Sequence, residues 1–245
     1  LERVERIRLE ERNYHESVYE QHELFREGSW LHRPVRTVLE MLQLFENYSS
    51  LNVLDLGSGI GRNSIPIAQY MRGRKDGKVE CVDLLETALN KLLQYSKQYG
   101  VEHLIEPKLS DLDHFRIEPN AYDYIIGVSA LEHCSTKLVL EAKLQDMTRG
   151  TKMNGINCII IGSNIKEQTL DGLRELDPRF EINLPEQEML ELLDNQYAGW
   201  EILKRSSSPL EFMIERESQP VKLFTTSITF AARKREERHF SLNRD

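Results

Sequence analysis

Residues 53–68 read VLDLGSGIGRNSIPIA, a stretch whose residue types suit a backbone that must receive a ligand. Val53, Leu54 and Leu56 form a short apolar run around the acid Asp55, and three alternating glycines follow at Gly57, Gly59 and Gly61. Glycines stand where a chain needs positive φ or where a ligand must touch the backbone, and a helix start beyond them offers unpaired N–H groups. Strand, tight turn and helix is the order this implies. Pro66 is tolerated only in a first helical turn, so the helix is expected to begin near Arg62 or Asn63. A dinucleotide fingerprint of the GxGxxG form would need its third glycine at Arg62, a side chain too large for close helix and strand packing. Pyrophosphate on this helix start is therefore disfavoured.

Further polar residues fall at the ends of expected strands. Residues 79–82 read as a second strand ending at Asp83, a little over twenty residues past the glycine turn, where an acid can accept hydrogen bonds from both ribose hydroxyls of an adenosine. Capping of the helix that begins near residues 86–88 is the other reading of Asp83. Residues 106–109 form a short third strand followed by Asp111, with Asp113 also available. The fourth strand, residues 122–128, leads into SALEHC at 129–134. In an open doubly wound sheet the ligand crevice lies outside the carboxyl ends of strands flanking the reversal of strand order. Strands one and four flank that point, so Val128, Ser129 and His133 are expected to face a cofactor or an acceptor. Glu132 and His133 form the carboxylate and imidazole pair of this region; His133 is either a proton acceptor or a cap or packing residue.

The elements that must position these residues alternate in type. A helix over residues 35–48 carries Val35, Val38, Leu39, Leu42 and Phe45 on one face, and a second over 87–99 ends at Gly100. A helix at 138–149 precedes a fifth strand at 156–161, a polar irregular stretch spans 162–185, and a helix follows at 186–195. Strands six and seven are expected at 200–205 and 221–233, the latter on strict alternation. Residues 72–78 read as a solvent-exposed turn. The stretch 162–185 builds an acceptor site or is a plain surface excursion. Residues 1–27 are rich in Glu and Arg, with Leu1, Val4, Ile7, Tyr14, Val18 and Tyr19 on a weak apolar stripe, which fits a solvated amphipathic helix.

Bulk properties bound the function. With 245 residues, 40% of them hydrophobic, the chain can bury one large core. A net charge of −8 argues against a nucleic-acid backbone as partner, because phosphate binding needs a positive face. Cys81, Cys134 and Cys158 fit neither a disulfide framework nor a zinc site, and no signal peptide or apolar stretch of membrane length is present, so a cytoplasmic protein without membrane attachment is expected. The HExxH, GxSxG, Walker A and EF-hand patterns are absent. His15 and His22 share a helical face without further ligands, so no metal is expected. The oligomeric state is not legible.

Asp55, Gly57, Gly59 and Gly61 match motif I, [DE]xGxGxG, of the class I S-adenosylmethionine (SAM) methyltransferases, which the chain resembles from residue 51 to about 233. Narrower likenesses are DLGSGIGRNS at 55–64, the Asn13 and Tyr14 pair with Tyr19 shortly after, and YAGWE at 197–201. These resemble the small tellurite-resistance methyltransferases, whose motif carries a cysteine where this chain has Ser58.

The resemblance implies an α/β fold: a seven-stranded, doubly wound, mostly parallel Rossmann-like sheet with the last strand antiparallel and an N-terminal helical extension. It divides the chain into a helical extension or lid (1–48), a SAM-binding domain (49–233) and a charged tail (234–245). It implies SAM as cofactor, with the turn under its methionine part and Asp55 near the amino group. The implied contact set comprises Asp55, Gly57, Ser58, Gly59, Arg62, Asn63, Asp83, Leu84, Asp111 on the adenine amino group, Leu112 on its ring, Val128 and Ser129. In such enzymes an N-terminal helix folds over the cofactor, which makes Tyr14, Tyr19, Trp30 and His32 the lid and acceptor-pocket candidates; His133, from its place after the fourth strand, is the catalytic candidate. The expected activity is in-line methyl transfer to a small-molecule acceptor. The alternatives are a catalytically silent SAM-binding regulatory or scaffolding protein, and an NAD-dependent oxidoreductase, which Arg62 opposes.

Overall fold

Apolar residues at alternate strand positions feed two cores, one on each face of a central sheet. The computed structural model describes residues 3–216 and 219–236. In chain order the elements are α1 (Arg3–Gln21), α2 (Arg36–Leu42), β1 (Ser50–Leu56), α3 (Ser64–Met71), β2 (Asp76–Asp83), α4 (Glu86–Gln98), β3 (Ile105–Leu109), β4 (Tyr122–Val128), α5 (Lys137–Gly150), β5 (Thr151–Thr169), β6 (Glu175–Leu176), α6 (Glu186–Gln196), β7 (Glu201–Arg216) and β8 (Gln219–Arg233). Strands run in the order β3, β2, β1, β4, β5, β8, β7, with the two-residue β6 paired to β5 off that path. The pairs β2 with β3, β1 with β2, β1 with β4 and β4 with β5 are parallel, whereas β8 is antiparallel to both its neighbours. This is the expected Rossmann-like methyltransferase architecture.

β4 is buried at every position, as a central strand covered on both faces must be. Tyr124, Ile126 and Val128 turn toward the core under α2, α3 and α4, and Tyr122 and Ile125 toward that under α5 and α6. The Tyr124 hydroxyl donates to the Val38 carbonyl at 3.0 Å, which ties α2 to the middle of the sheet. α3 starts at Ser64 with Asn63 at its N-cap position, next to the expected start; the Asn63 side chain accepts the Val35 N–H at 3.0 Å and does not cap the helix.

Several expected boundaries are corrected. Residues 76–78 belong to β2 and pair with residues 50–52, so only the start of the stretch 72–78 is a turn. β5 runs from Thr151 to Thr169 rather than over 156–161, and β7 reaches Arg216 rather than residue 205. The stretch 162–185, expected to be irregular, contains the second half of β5 and all of β6. Polar residues hid these extensions. Beyond residue 162 the buried positions of β5 include Ser163 and Glu167, and β7 is an edge strand exposed throughout residues 205–213. Neither stretch needs the apolar alternation by which strands are recognised.

Together β5, β7 and β8 form an antiparallel extension that continues past Val128 and Ile160, where the β4 and β5 pairing ends. Lys234, the first residue after β8, donates to the carbonyls of Thr148 and Thr151. Residues 237–245 of the charged tail, and Leu1 of the N-terminal stripe, lie outside the described residues. The three cysteines are free and buried, and among the described residues no helix is long and apolar enough to cross a membrane.

Tyr124→Phe removes one buried hydrogen bond while keeping the ring. It is expected to lower unfolding stability by about 0.5–1.5 kcal/mol in chemical denaturation.

Candidate active site

At the carboxyl end of β1 the chain turns beneath the tip of β2. The N–H groups of Gly57 and Ser58 both donate to the Val82 carbonyl, at 2.8 and 3.0 Å, and the Gly59 N–H donates to Asp83 Oδ2 at 2.7 Å. Gly57 and Gly59 have φ of 72° and 53°. A Cβ at Gly57 would lie 2.4 Å from Ala130 Cβ, and one at Gly59 would lie 2.8 Å from the Tyr19 hydroxyl. Both positions therefore require glycine on conformation and on space. The Ser58 hydroxyl is buried in this turn without a hydrogen-bond partner.

Asp83 also accepts the Leu85 N–H at 2.9 Å, so each carboxylate oxygen holds one donor and keeps lone-pair capacity. Burial raises its pKa despite those bonds. Asp55 faces the start of α3 and accepts from the Ser64 hydroxyl; burial outweighs that bond and pushes its pKa up to about 7. Arg62 places its guanidinium 4.9 Å from the centre of the Trp30 ring and donates to the Trp30 carbonyl at 3.1 Å. Leu84 is exposed beyond Asp83, Val128 is buried, and Ser129 follows it with φ of 50° at an exposed strand end.

α1 packs across this edge. Arg8 donates to Asp111 Oδ2 at 2.6 Å and to Asp113 Oδ2 at 2.9 Å, so both acids after β3 are engaged by one guanidinium, with Leu112 half-buried between them. Glu10 pairs with Arg179, and Glu11 with Arg216 at 3.1 Å. Arg216 is almost buried and also binds Glu167 at 2.8 Å, which fastens the strand extension to α1. Of the four lid candidates, Tyr14, Tyr19 and Trp30 gather around His15, with ring centres 5.3, 5.7 and 6.0 Å from it. His32 does not join them: it is exposed and bonded through Nδ1 to the Ser29 carbonyl.

His133 follows β4 in a short 3-10 turn, Leu131–His133. Its bonded carboxylate is not the adjacent Glu132 but Glu181, whose Oε2 lies 3.0 Å from Nδ1, and the imidazole stacks on Phe180 at 5.5 Å. Burial disfavours the imidazolium, but the Glu181 bond and the charges of Glu11, Glu132 and Glu181 prevail and raise its pKa to about 9. Glu132 instead receives the Gly162 N–H at 3.3 Å on Oε1. Burial raises the Glu132 pKa.

His15, Glu181, Arg8 and Arg216 also surround the candidate site and are not among the candidates read from the sequence. Only His15 had a local signal, its place beside Tyr14; the others come from segments without motif and meet through tertiary structure. Among the described residues no group of three or more His, Cys, Asp or Glu side chains is arranged to hold a metal ion.

A family model described as a methyltransferase domain matches residues 53–155. No curated protein matches the chain. Among solved structures, TehB from Haemophilus influenzae is 22% identical over 80% of this chain and 62% of its own, with a TM-score of 0.58. A SAM-dependent methyltransferase from Methanosarcina mazei is 14% identical over 83% of this chain and 99% of its own, with a TM-score of 0.58. The cyclase SpnF is 15% identical over 85% and 84%, with a TM-score of 0.56. At these identities the likeness to solved structures concerns the fold, which carries more than one chemistry.

The Glu181 contact predicts a titration. Because the folded-state pKa of His133 is raised, the pair contributes its full stabilisation below the ordinary histidine value near 6.5 and loses it as pH rises through about 9. NMR titration of His133 is expected to give a midpoint near 9 and, in Glu181→Gln, a midpoint lower by at least one unit.

Proposed function

We propose that this protein is a class I S-adenosylmethionine-dependent methyltransferase that methylates a small-molecule acceptor by in-line displacement, a reading that its fold and the family match over residues 53–155 support. The observation that carries this reading is the turn after β1. Its backbone lacks side chains at Gly57 and Gly59, its Ser58 hydroxyl is buried without a partner, and Asp83 beside it retains lone pairs. A cofactor with an amino-acid end and a ribose fits that donor and acceptor set. In this reading Gly57, Ser58 and Gly59 lie along the methionine portion, Asp83 accepts the ribose hydroxyls, and Leu84, Leu112, Val128 and Ser129 line the nucleoside. Asp55 keeps the start of α3 in place through Ser64, and Arg62 and Asn63 hold Trp30 and Val35 against the turn.

SAM supplies a methyl group already activated on a sulfonium. The protein therefore mainly aligns the acceptor, a contribution of up to roughly 7–11 kcal/mol in favourable cases. Residues 1–48 act as the lid over the domain of residues 49–233. Tyr14, Tyr19 and Trp30 exclude water from the turn, and Arg8 must release Asp111 before that acid can meet an adenine edge. His133, bonded to Glu181 and so protonated near neutral pH, is a positioning residue and not the base. The likeness to TehB, itself matched over 62% of its length, supports the fold and leaves the acceptor to be found by assay.

Calorimetry with SAM and S-adenosylhomocysteine tests this reading directly. Both are expected to bind, and Asp83→Ala to weaken binding by about 1–3 kcal/mol through lost hydrogen bonds. Unchanged affinity in the variant removes Asp83 from the site, and absence of binding to the unaltered protein overturns the reading.

A further inference from the structure

Besides the Ser58 hydroxyl in the glycine turn and Glu10 Oε2 on α1, two further buried hydrogen-bond acceptors on elements that meet that turn lack donors among the described residues. Glu132 is 4% exposed, and its Oε2 has no partner, while Oε1 has only the Gly162 N–H at 3.3 Å. His15 Nδ1 is likewise buried and unpartnered. His15 Nε2 faces Glu11 Oε2 at 3.6 Å, a carboxylate that favours the proton on that nitrogen and leaves Nδ1 with its lone pair. Burial lowers the His15 pKa, which keeps the ring neutral. The two residues come from elements that both meet the glycine turn: Glu132 from the turn after β4, whose Ala130 abuts Gly57, and His15 from α1, whose Tyr19 abuts Gly59. Both respond to the same charged neighbours, Glu11 and His133.

Neighbouring ionic groups are already matched. Glu181 has His133, Glu10 has Arg179, Glu11 and Glu167 share Arg216, and Asp111 and Asp113 share Arg8. Among the described residues Glu132 has no hydrogen-bonded cation: the adjacent His133 holds its proton against Glu181. Leaving a buried acceptor unsatisfied is costly, so two of them on elements that meet at one turn point to the group that belongs there. A thiolate supplies no N–H or O–H donor and a hydroxyl supplies one, whereas an ammonium supplies three and a positive charge.

Resting on the methyltransferase reading above, we propose that the acceptor is a primary or secondary amine, held between Glu132 and His15, with Glu132 taking the proton that frees its nitrogen. The amine arrives as an ammonium and gives one proton to the Glu132 carboxylate. The freed lone pair forms the nitrogen–carbon bond as the carbon–sulfur bond breaks and its electron pair stays on sulfur. The product leaves as the methylated ammonium, and Glu132 returns its proton to solvent. His133 already carries a proton against Glu181, which leaves the base role to Glu132.

The test uses the full chain and sets of compounds matched in skeleton: benzylamine, benzyl alcohol and benzyl mercaptan; ethanolamine, ethylene glycol and mercaptoethanol; histamine and imidazole-ethanol. Binding to the S-adenosylhomocysteine complex is read by calorimetry and methyl transfer from SAM by mass spectrometry. At least one amine is expected to bind tenfold or more tightly than its counterparts and to be methylated. Glu132→Gln is expected to slow that transfer at least 100-fold with homocysteine-cofactor affinity within twofold. Preference for an alcohol or thiol, binding of no amine, or an unaltered rate in Glu132→Gln overturns the proposal. If Glu132→Gln fails to melt cooperatively, His15→Phe replaces it, with KM for the amine expected to rise tenfold or more and an unchanged KM counting against the proposal. A protein that ignores S-adenosylhomocysteine altogether refutes the methyltransferase reading instead.

Discussion

The hydrogen bond from the Gly59 N–H to Asp83, 2.7 Å long, locks the glycine turn to the tip of β2. With the paired donation of Gly57 and Ser58 to Val82, it converts three residues of positive φ or close approach into a fixed ledge at the sheet's carboxyl edge. Everything around the site is dimensioned to that ledge. Ala130 approaches Gly57 from β4, Tyr19 approaches Gly59 from α1, and Arg62 just beyond the turn carries Trp30. An acid with raised pKa at Asp83 is the electrostatic consequence of burying a carboxylate where the backbone alone supplies its donors.

The second feature of the molecule is that its N-terminal helix is joined to the domain by charge more than by apolar burial. α1 buries only Ile7 and Tyr19, yet it sends Arg8, Glu10 and Glu11 into contacts with three distant segments. The strand extension formed by β5, β7 and β8 answers with Arg216, and the segment after β6 with Arg179 and Glu181. Partly buried pairs of this kind favour one geometry because a misplaced partner leaves a charge unpaired. They fix α1 in register over the turn.

Much of the fold and part of the candidate site are legible in the sequence. The turn at Gly57, Gly59 and Gly61 and the acid at Asp83 are local patterns imposed by backbone conformation and strand ends, and such patterns survive in a single sequence. The order of strands and helices was legible wherever a face is buried, as in β4 and α4. The strand extension was not, because exposed edges and polar buried residues such as Ser163 and Glu167 erase the period of two. His133 was placed correctly at the end of β4, but its partner Glu181 sits 48 residues away in a stretch with no motif, so the adjacent Glu132 stood in for it. His32 illustrates the opposite error: nearness to Trp30 in sequence did not bring it into the aromatic group.

Hydrogen–deuterium exchange of the full chain with and without S-adenosylhomocysteine tests most directly whether this ledge is where the cofactor lies. The amides of residues 57–63 and 83–85 are predicted to slow together, and α1 to slow with them as the lid closes. Slowing confined to other segments, or slowing of 57–63 by a nicotinamide dinucleotide and not by S-adenosylhomocysteine, would contradict the account.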